Sequence, residues 1–266
     1  LTSSSQYSNV VFSSNRNETH AEANPRANGP VAVVSRRSGL PQIWLFFPDG
    51  SQQQLTFFEK SERIRSLSFS PDGKNLVVQL HNEIWLVSDN GEMTQIPLKQ
   101  GVIITSPAWG NKGEYVYFAE SVNGRWQIAR YDVAEKRVDP EPVGQDRDMY
   151  IESYDGEYCF WRDAVTKKFY LKWFASGEIE ELPISFPDNQ LWHKFQATAS
   201  GIYFADLLAD VNFKLRYYSF KSKTIEDVLG EQLLYLNRFS VSADEKRLFI
   251  LESVRGDIDI AKLTLP

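Results

Sequence analysis

Apolar residues in this chain fall in short runs, β-branched or aromatic, separated by turn-forming clusters at a regular interval. The clearest stretch runs Ser66-Leu67-Ser68-Phe69, then Ser70-Pro71-Asp72-Gly73-Lys74, then Leu76-Val77-Val78. It continues through Glu83-Ile84-Trp85-Leu86-Val87 to Asp89-Asn90-Gly91. Runs this short, bounded by Pro, Asp and Gly, predict strands rather than helices. Pro presets φ for the second residue of a tight turn and Gly accepts φ > 0, so the chain can reverse at once. The stretch therefore reads as four strands joined by tight turns.

The same unit returns. Ser106-Pro107-Ala108-Trp109-Gly110-Asn111-Lys112-Gly113 precedes Tyr115-Val116-Tyr117-Phe118, and Tyr154-Asp155-Gly156 precedes Tyr158-Cys159-Phe160-Trp161. Ala199-Ser200-Gly201 precedes Ile202-Tyr203-Phe204, and Ala243-Asp244-Glu245 precedes Leu248-Phe249-Ile250. The turn position falls at 73, 113, 156, 201 and 245, and a spacing of about 40 to 45 is that of one propeller blade. Third-strand runs repeat in step, among them Ile43-Trp44-Leu45, Ile84-Trp85-Leu86 and Leu215-Arg216-Tyr217-Tyr218. Six units follow, predicting one all-β domain over residues 1–266: a six-bladed β-propeller of four-stranded antiparallel blades. The last unit stops after its third strand, so the N-terminal segment is expected to close the ring, with residues 1–8 as the closing strand. The inner strand of the first unit is then placed near Val10 to Ser13. The polar stretch 15–28 offers almost nothing apolar to bury and reads as a mobile insertion loop.

Ser68-Phe69-Ser70-Pro71-Asp72-Gly73-Lys74 with Glu83-Ile84-Trp85-Leu86 resembles the WD40-like repeat of TolB-type propellers, and the resemblance spans nearly the whole chain. The Gly-His and Trp-Asp pairs of true WD40 repeats are absent. The family implies a six-bladed propeller but hosts several functions. It includes TolB, a periplasmic envelope protein, and the propellers that gate prolyl-oligopeptidase-type serine peptidases. It also includes the C-terminal periplasmic domains of CadC- or ToxR-like membrane-anchored transcriptional regulators. A chain that opens at Leu1 and ends with its last blade fits the third context, as a fragment of a longer protein. This resemblance implies a non-catalytic sensing or protein-interaction domain in the periplasm, tied to the membrane only through a helix upstream. The alternatives are a peptidase's gating propeller and a TolB-like scaffold.

Charge and composition narrow the chemistry. With 29 Lys+Arg against 35 Asp+Glu the net charge is -6, so there is no general electrostatic attraction to nucleic acid phosphates. The lone Cys159 excludes an internal disulfide and reads as a buried strand thiol. No Gly-x-Ser-x-Gly elbow, phosphate-cradling loop or dinucleotide fingerprint is present. His20, His81 and His193 lie in different units, and the pairs Asp146/Asp148, Asp206/Asp210 and Asp257/Asp259 lack the density of a calcium loop. They are expected to be solvated, with no metal or cofactor bound and no enzyme activity.

Binding is expected on the face where second-to-third-strand loops meet the connections between blades. The partner there would be a protein or a small-molecule signal. Candidate residues are Arg37, Arg125, Trp126 and Arg162 from the first loop type, and Phe57, Phe58, Arg147, Trp192 and His193 from the second. Arg and aromatic side chains gathered on one surface are the usual anchors of protein contacts.

Overall fold

In a computed structural model the chain is all-β, with six blades of four antiparallel strands arranged as a propeller. The structure describes residues 10–12, 18–59, 61–139, 142–186, 194–209, 212–229, 234–235, 238–254 and 257–265. After β1 (Val10–Phe12), blade one comprises β2 (Glu18–Ala23), β3 (Val31–Ser35), β4 (Gln42–Phe46) and β5 (Gln52–Gln54). Blade two is β6 (Ile64–Phe69), β7 (Asn75–Leu80), β8 (Glu83–Ser88) and β9 (Met93–Gln95). Blade three is β10 (Ile103–Trp109), β11 (Tyr115–Val122), β12 (Arg125–Asp132) and β13 (Arg137–Val138), with β14 (Gly144–Gln145) returning to pair with β12. Blade four is β15 (Arg147–Glu152), β16 (Tyr158–Asp163), β17 (Phe169–Trp173) and β18 (Ile179–Leu182). Blade five is β19 (Phe195–Ala197), β20 (Gly201–Ala209), β21 (Asn212–Ser219) and β22 (Ile225–Asp227), and β23 (Leu234–Tyr235) also pairs with β21. Blade six joins β24 (Phe239–Val241), β25 (Arg247–Val254) and β26 (Asp257–Thr264) to β1.

The N-terminal strand does complete blade six, but it is Val10–Phe12, pairing Val10 with Ala261 and Phe12 with Ile260. Residues 1–8, expected in that role, lie outside the described residues. The expected mobile loop at 15–28 is corrected over 18–28, its residues 15–17 lying outside the described residues. Glu18–Ala23 is the inner strand of blade one, and Glu18, His20, Glu22 and Asn24 are all buried. A polar strand can take this place because its groups find partners. Ser35 Oγ donates to Glu18 Oε1 at 3.1 Å, Lys194 Nζ to Glu22 Oε2 at 2.6 Å, and the Ala23 N–H to Ser240 Oγ at 2.9 Å.

Contacts divide the chain into two compact units, one of residues 1–62 with 191–266 and one of residues 63–190. In the second, Val77, Ile84, Trp109, Val116, Phe118 and Tyr131 fuse blades two and three into one apolar cluster. In the first, Phe249, Leu251 and Ile260 of blade six pack on Ala21, Val33 and Phe46 of blade one. Each blade hides a face it could not bury alone, which is why the strands alternate so little between apolar and polar.

The repeated turns keep one geometry even where their sequence degrades. Gly73, Gly113 and Gly156 take positive φ and donate N–H back to Ser70, Gly110 and Ser153. In blade six Glu245 takes that conformation at φ 54° and donates to Ser242 O at 2.8 Å. Asp244, which accepts from the Ser242 hydroxyl and the Lys246 N–H, pins the turn without its glycine.

Candidate functional site

Among the described residues, four inner strands carry a bulge near their first residues, at Glu18/His20, Ile64/Ser66, Thr105/Ala108 and Arg147/Met149. A bulge leaves one residue unpaired and re-aims its side chain, a device frequent beside functional sites. In blade four the extra residue is Asp148. At the same end of residues 63–190 lie the β11–β12 turn, Asn123-Gly124, with both φ positive, and the β16–β17 hairpin. Positive φ at both central residues matches the right-handed strand twist, so Arg125 emerges from a tight two-residue turn.

The segment Asp146-Arg147-Asp148 gathers three of the predicted arginines. Arg125 forks onto Asp146, its Nη2 lying 2.9 and 3.0 Å from the two carboxylate oxygens. The Asp146 carbonyl accepts the Ala164 N–H at 2.8 Å, fastening the segment to the next hairpin. Arg147 lies over the Trp161 ring, 4.3 Å from its centroid, and Trp161 stacks on Tyr170 at 5.7 Å. Asp148 faces Arg162 Nη1 at 3.5 Å and Lys167 Nζ at 4.0 Å.

Asp148 corrects the expectation of a solvated carboxylate: its side chain is only 2% exposed. Neither of its oxygens has a hydrogen bond, and neither does Arg162 Nε. Burial pushes the Asp148 carboxyl up, against the pull of Arg162 and Lys167. Asp163 goes the other way. Burial would raise it, but the Thr166 and Val165 donors and the nearby Arg147 charge hold it below the usual carboxylate range.

The remaining predicted residues divide. Trp126 is half-buried and packs on Tyr117, Ala119 and Ile128. In residues 1–62 with 191–266, Arg37 lies over Trp44 at 4.6 Å and donates to Gln52 Oε1 at 2.6 Å. Burial pushes its guanidinium down, with Glu18 opposing. Phe58 is buried, its N–H and carbonyl both held by the Gln42 amide at 2.9 Å, so its ring is not presented to a partner. Its neighbour Phe57 is 73% exposed. Trp192 and His193 lie outside the described residues. Sequence reasoning missed Val165 and Ile103, 72% and 62% exposed, although Val165 stands out as an apolar residue in a polar hairpin. It also missed the Glu22–Lys194 pair, whose only signal is the period-2 polar pattern Glu18, His20, Glu22, Asn24. Burial pushes the Glu22 carboxyl up while Lys194 and Ser240 pull it down.

Among the described residues no group of three or more His, Cys, Asp or Glu is placed to hold a metal ion. Cys159 is buried, and burial pushes its thiol up, so it is a strand hydrophobe.

No family model matches this sequence, and no curated protein matches it. Solved structures do. TolB from Acinetobacter baumannii is similar over 93% of this chain at 14% identity and a TM-score of 0.64. The chain spans 63% of that protein's length. A putative TolB from Agrobacterium tumefaciens matches over 96% of this chain and 93% of its own, with 12% identity and a TM-score of 0.63. An oligogalacturonate lyase in complex with manganese matches over 94% and 90%, with 10% identity and a TM-score of 0.62. Likeness at such low identity carries architecture alone: this chain has a TolB-like six-bladed β-propeller fold.

Proposed function

We propose that this propeller is a non-catalytic recognition module, the periplasmic sensor domain of a membrane-anchored transcriptional regulator. The observation that carries the recognition reading is the Arg125–Arg147–Arg162 group. Arg125 and Arg147 are held by Asp146 and by an aromatic stack beside an exposed apolar hairpin tip at Val165, while the predicted Arg162 is buried against Asp148 and supports rather than presents the group. Arg fixed in advance loses little side-chain entropy when a partner arrives, which makes it an effective anchor. The regulator assignment rests on the WD40-like repeat and its implied contexts.

The test begins with the reading frame on both sides of these residues. A winged helix and an apolar span upstream support the regulator. An α/β-hydrolase domain downstream assigns the chain to peptidase gating, and a small N-terminal domain behind a signal peptide assigns it to an envelope scaffold. In the whole gene product, replacing Arg125 and Arg147 together with Gln is expected to abolish the change in target transcription. An unchanged response, with the protein folded and at normal level, removes the proposed face.

A further inference from the structure

We propose that Arg147 is a binding site for a carboxylate carried on a small apolar body, such as an apolar residue at a peptide's C-terminus. This rests on the recognition reading above and specifies what the face takes. The guanidinium is built in on two sides. Trp161 lies beneath it at 4.3 Å, itself backed by Tyr170. Gly144 lies against it so closely that a Cβ there would stand 2.9 Å from Arg147 Cδ and 3.0 Å from Nη1. A side chain at 144 would push the Arg147 side chain out of this position.

Its donors are unspent. Among the described residues Arg147 makes no hydrogen bond and no ion pair, although it is half-buried and its neighbours are all engaged. Asp146 is taken by Arg125, and Asp148 by Arg162 and Lys167. Asp163 Oδ1 accepts from the Val165 and Thr166 N–H groups and the Thr166 hydroxyl. The group thus holds four cations (Arg125, Arg147, Arg162, Lys167) against three carboxylates (Asp146, Asp148, Asp163), one positive charge in surplus. A stacked, planar fork with free N–H groups matches the two oxygens of a carboxylate.

The surroundings set what the carboxylate is attached to. Val143, 40% exposed, directly precedes Gly144, and Val165, 72% exposed, lies two residues beyond Asp163, the register partner of Arg147. Exposed valines on both chain segments that meet at Arg147 favour an apolar group over a sugar or a phosphate.

The probe is N-acetyl-leucine, titrated calorimetrically into the protein at low salt. N-acetyl-leucinamide, acetate and inorganic phosphate serve as comparisons. N-acetyl-leucine is expected to bind about tenfold more tightly than the amide and than acetate. Arg147→Lys keeps the charge but loses the fork, and is expected to weaken binding about fivefold or more. Gly144→Ala leaves Arg147 in the sequence and displaces its side chain, so it too is expected to weaken binding; it keeps the test decisive if Arg147→Lys folds poorly. Equal binding of the acid and the amide, or full binding by a folded Arg147→Gln protein, overturns the proposal. So does a preference for phosphate. If the parent protein binds none of the carboxylate probes while the Arg125 and Arg147 replacements still abolish the transcriptional response, this anchor falls and the recognition reading stands. Binding abolished by Arg147→Gln with the transcriptional response unchanged does the reverse.

Discussion

The two compact units are made of the same blades and hold their inner strands by different chemistry. In residues 63–190 the inner strands β6 and β10 bury Ile64, Leu67, Phe69, Ile104 and Trp109, and blade four is filled by Tyr158, Phe160 and Phe169. In residues 1–62 with 191–266 the inner strand β2 buries Glu18, His20, Glu22 and Asn24 instead. Its partners come from far along the chain: Glu22 takes Lys194 of the blade-five approach, and Ala23 takes Ser240 of blade six. Gln196 adds a further link, accepting the Val241 N–H at 2.7 Å and donating to its carbonyl at 2.6 Å. Both units are joined by area removed from water, and residues 1–62 with 191–266 add, at the inner strand β2, paired polar groups that tolerate no missing partner. Apolar packing is non-directional and degrades gradually, whereas a buried charge without its partner is costly at once.

The strongest test of the apolar half is Phe160→Ala, which empties a site with no exposed surface. It is expected to cost about 4 kcal/mol, measured as a lowered urea midpoint at unchanged slope. The strongest test of the polar half is Lys194→Met, which leaves the buried Glu22 carboxylate without its counter-charge and is expected to cost about 3 kcal/mol. Pairing it with Glu22→Leu is expected to restore most of that loss, because an apolar pair of similar volume replaces the ion pair. If Lys194→Met is neutral while Phe160→Ala is costly, the contrast between the units fails.

Gly201→Ala probes close packing between strands of the polar half. A Cβ at 201 would stand 2.1 Å from the Tyr218 carbonyl oxygen and 2.6 Å from the Tyr217 ring. The obstruction includes backbone, so β20 and β21 must part, and the expected cost is about 2 kcal/mol by thermal unfolding. Gly177→Ala, where nothing lies within 4 Å but φ is +72°, is expected to cost only about 1 kcal/mol. Equal losses from the two would mean that backbone conformation, not contact, governs both.

The same division explains what could be read from the sequence. The repeated glycine turns were legible because their requirement is local: positive φ within four residues, marked by Gly73, Gly113 and Gly156. The number of blades and the need for an N-terminal strand followed from counting those turns. The location of β1 did not, because β2 was invisible as a core strand. Glu-Thr-His-Ala-Glu-Ala has the period of a strand and the composition of a loop, and its burial depends on Lys194 and Ser240, which nothing nearby announces. With 18–23 read as loop, the inner strand slid onto 10–13 and the closing strand onto 1–8. At the candidate site the residue types were legible and their engagement was not. Arg125, Arg147 and Arg162 look alike in sequence, yet only the bulge at Asp148 and the glycine at 144 make one of them the unspent cation.

The smallest expected effect tests what the units share. Asp163 in one and Asp244 in the other each pin a hairpin turn with a carboxylate that accepts backbone N–H groups. Both carboxyls lie below their ordinary value. At Asp244 the Ser242 hydroxyl is the main cause; at Asp163 the Thr166 and Val165 donors outweigh the opposing effect of burial. A carboxyl held lower in the folded chain contributes stability above its unfolded pKa and loses it as pH falls through the folded one. Asp163→Ala and Asp244→Ala are therefore each expected to cost about 1 kcal/mol at pH 7. The difference from the parent protein should shrink below about pH 4, where the parent's own carboxylates take up protons. Chemical unfolding at pH 7 and at pH 3 measures both. Matched losses in the two units place their difference in the inner strands alone; a loss confined to one carries it out to the turns.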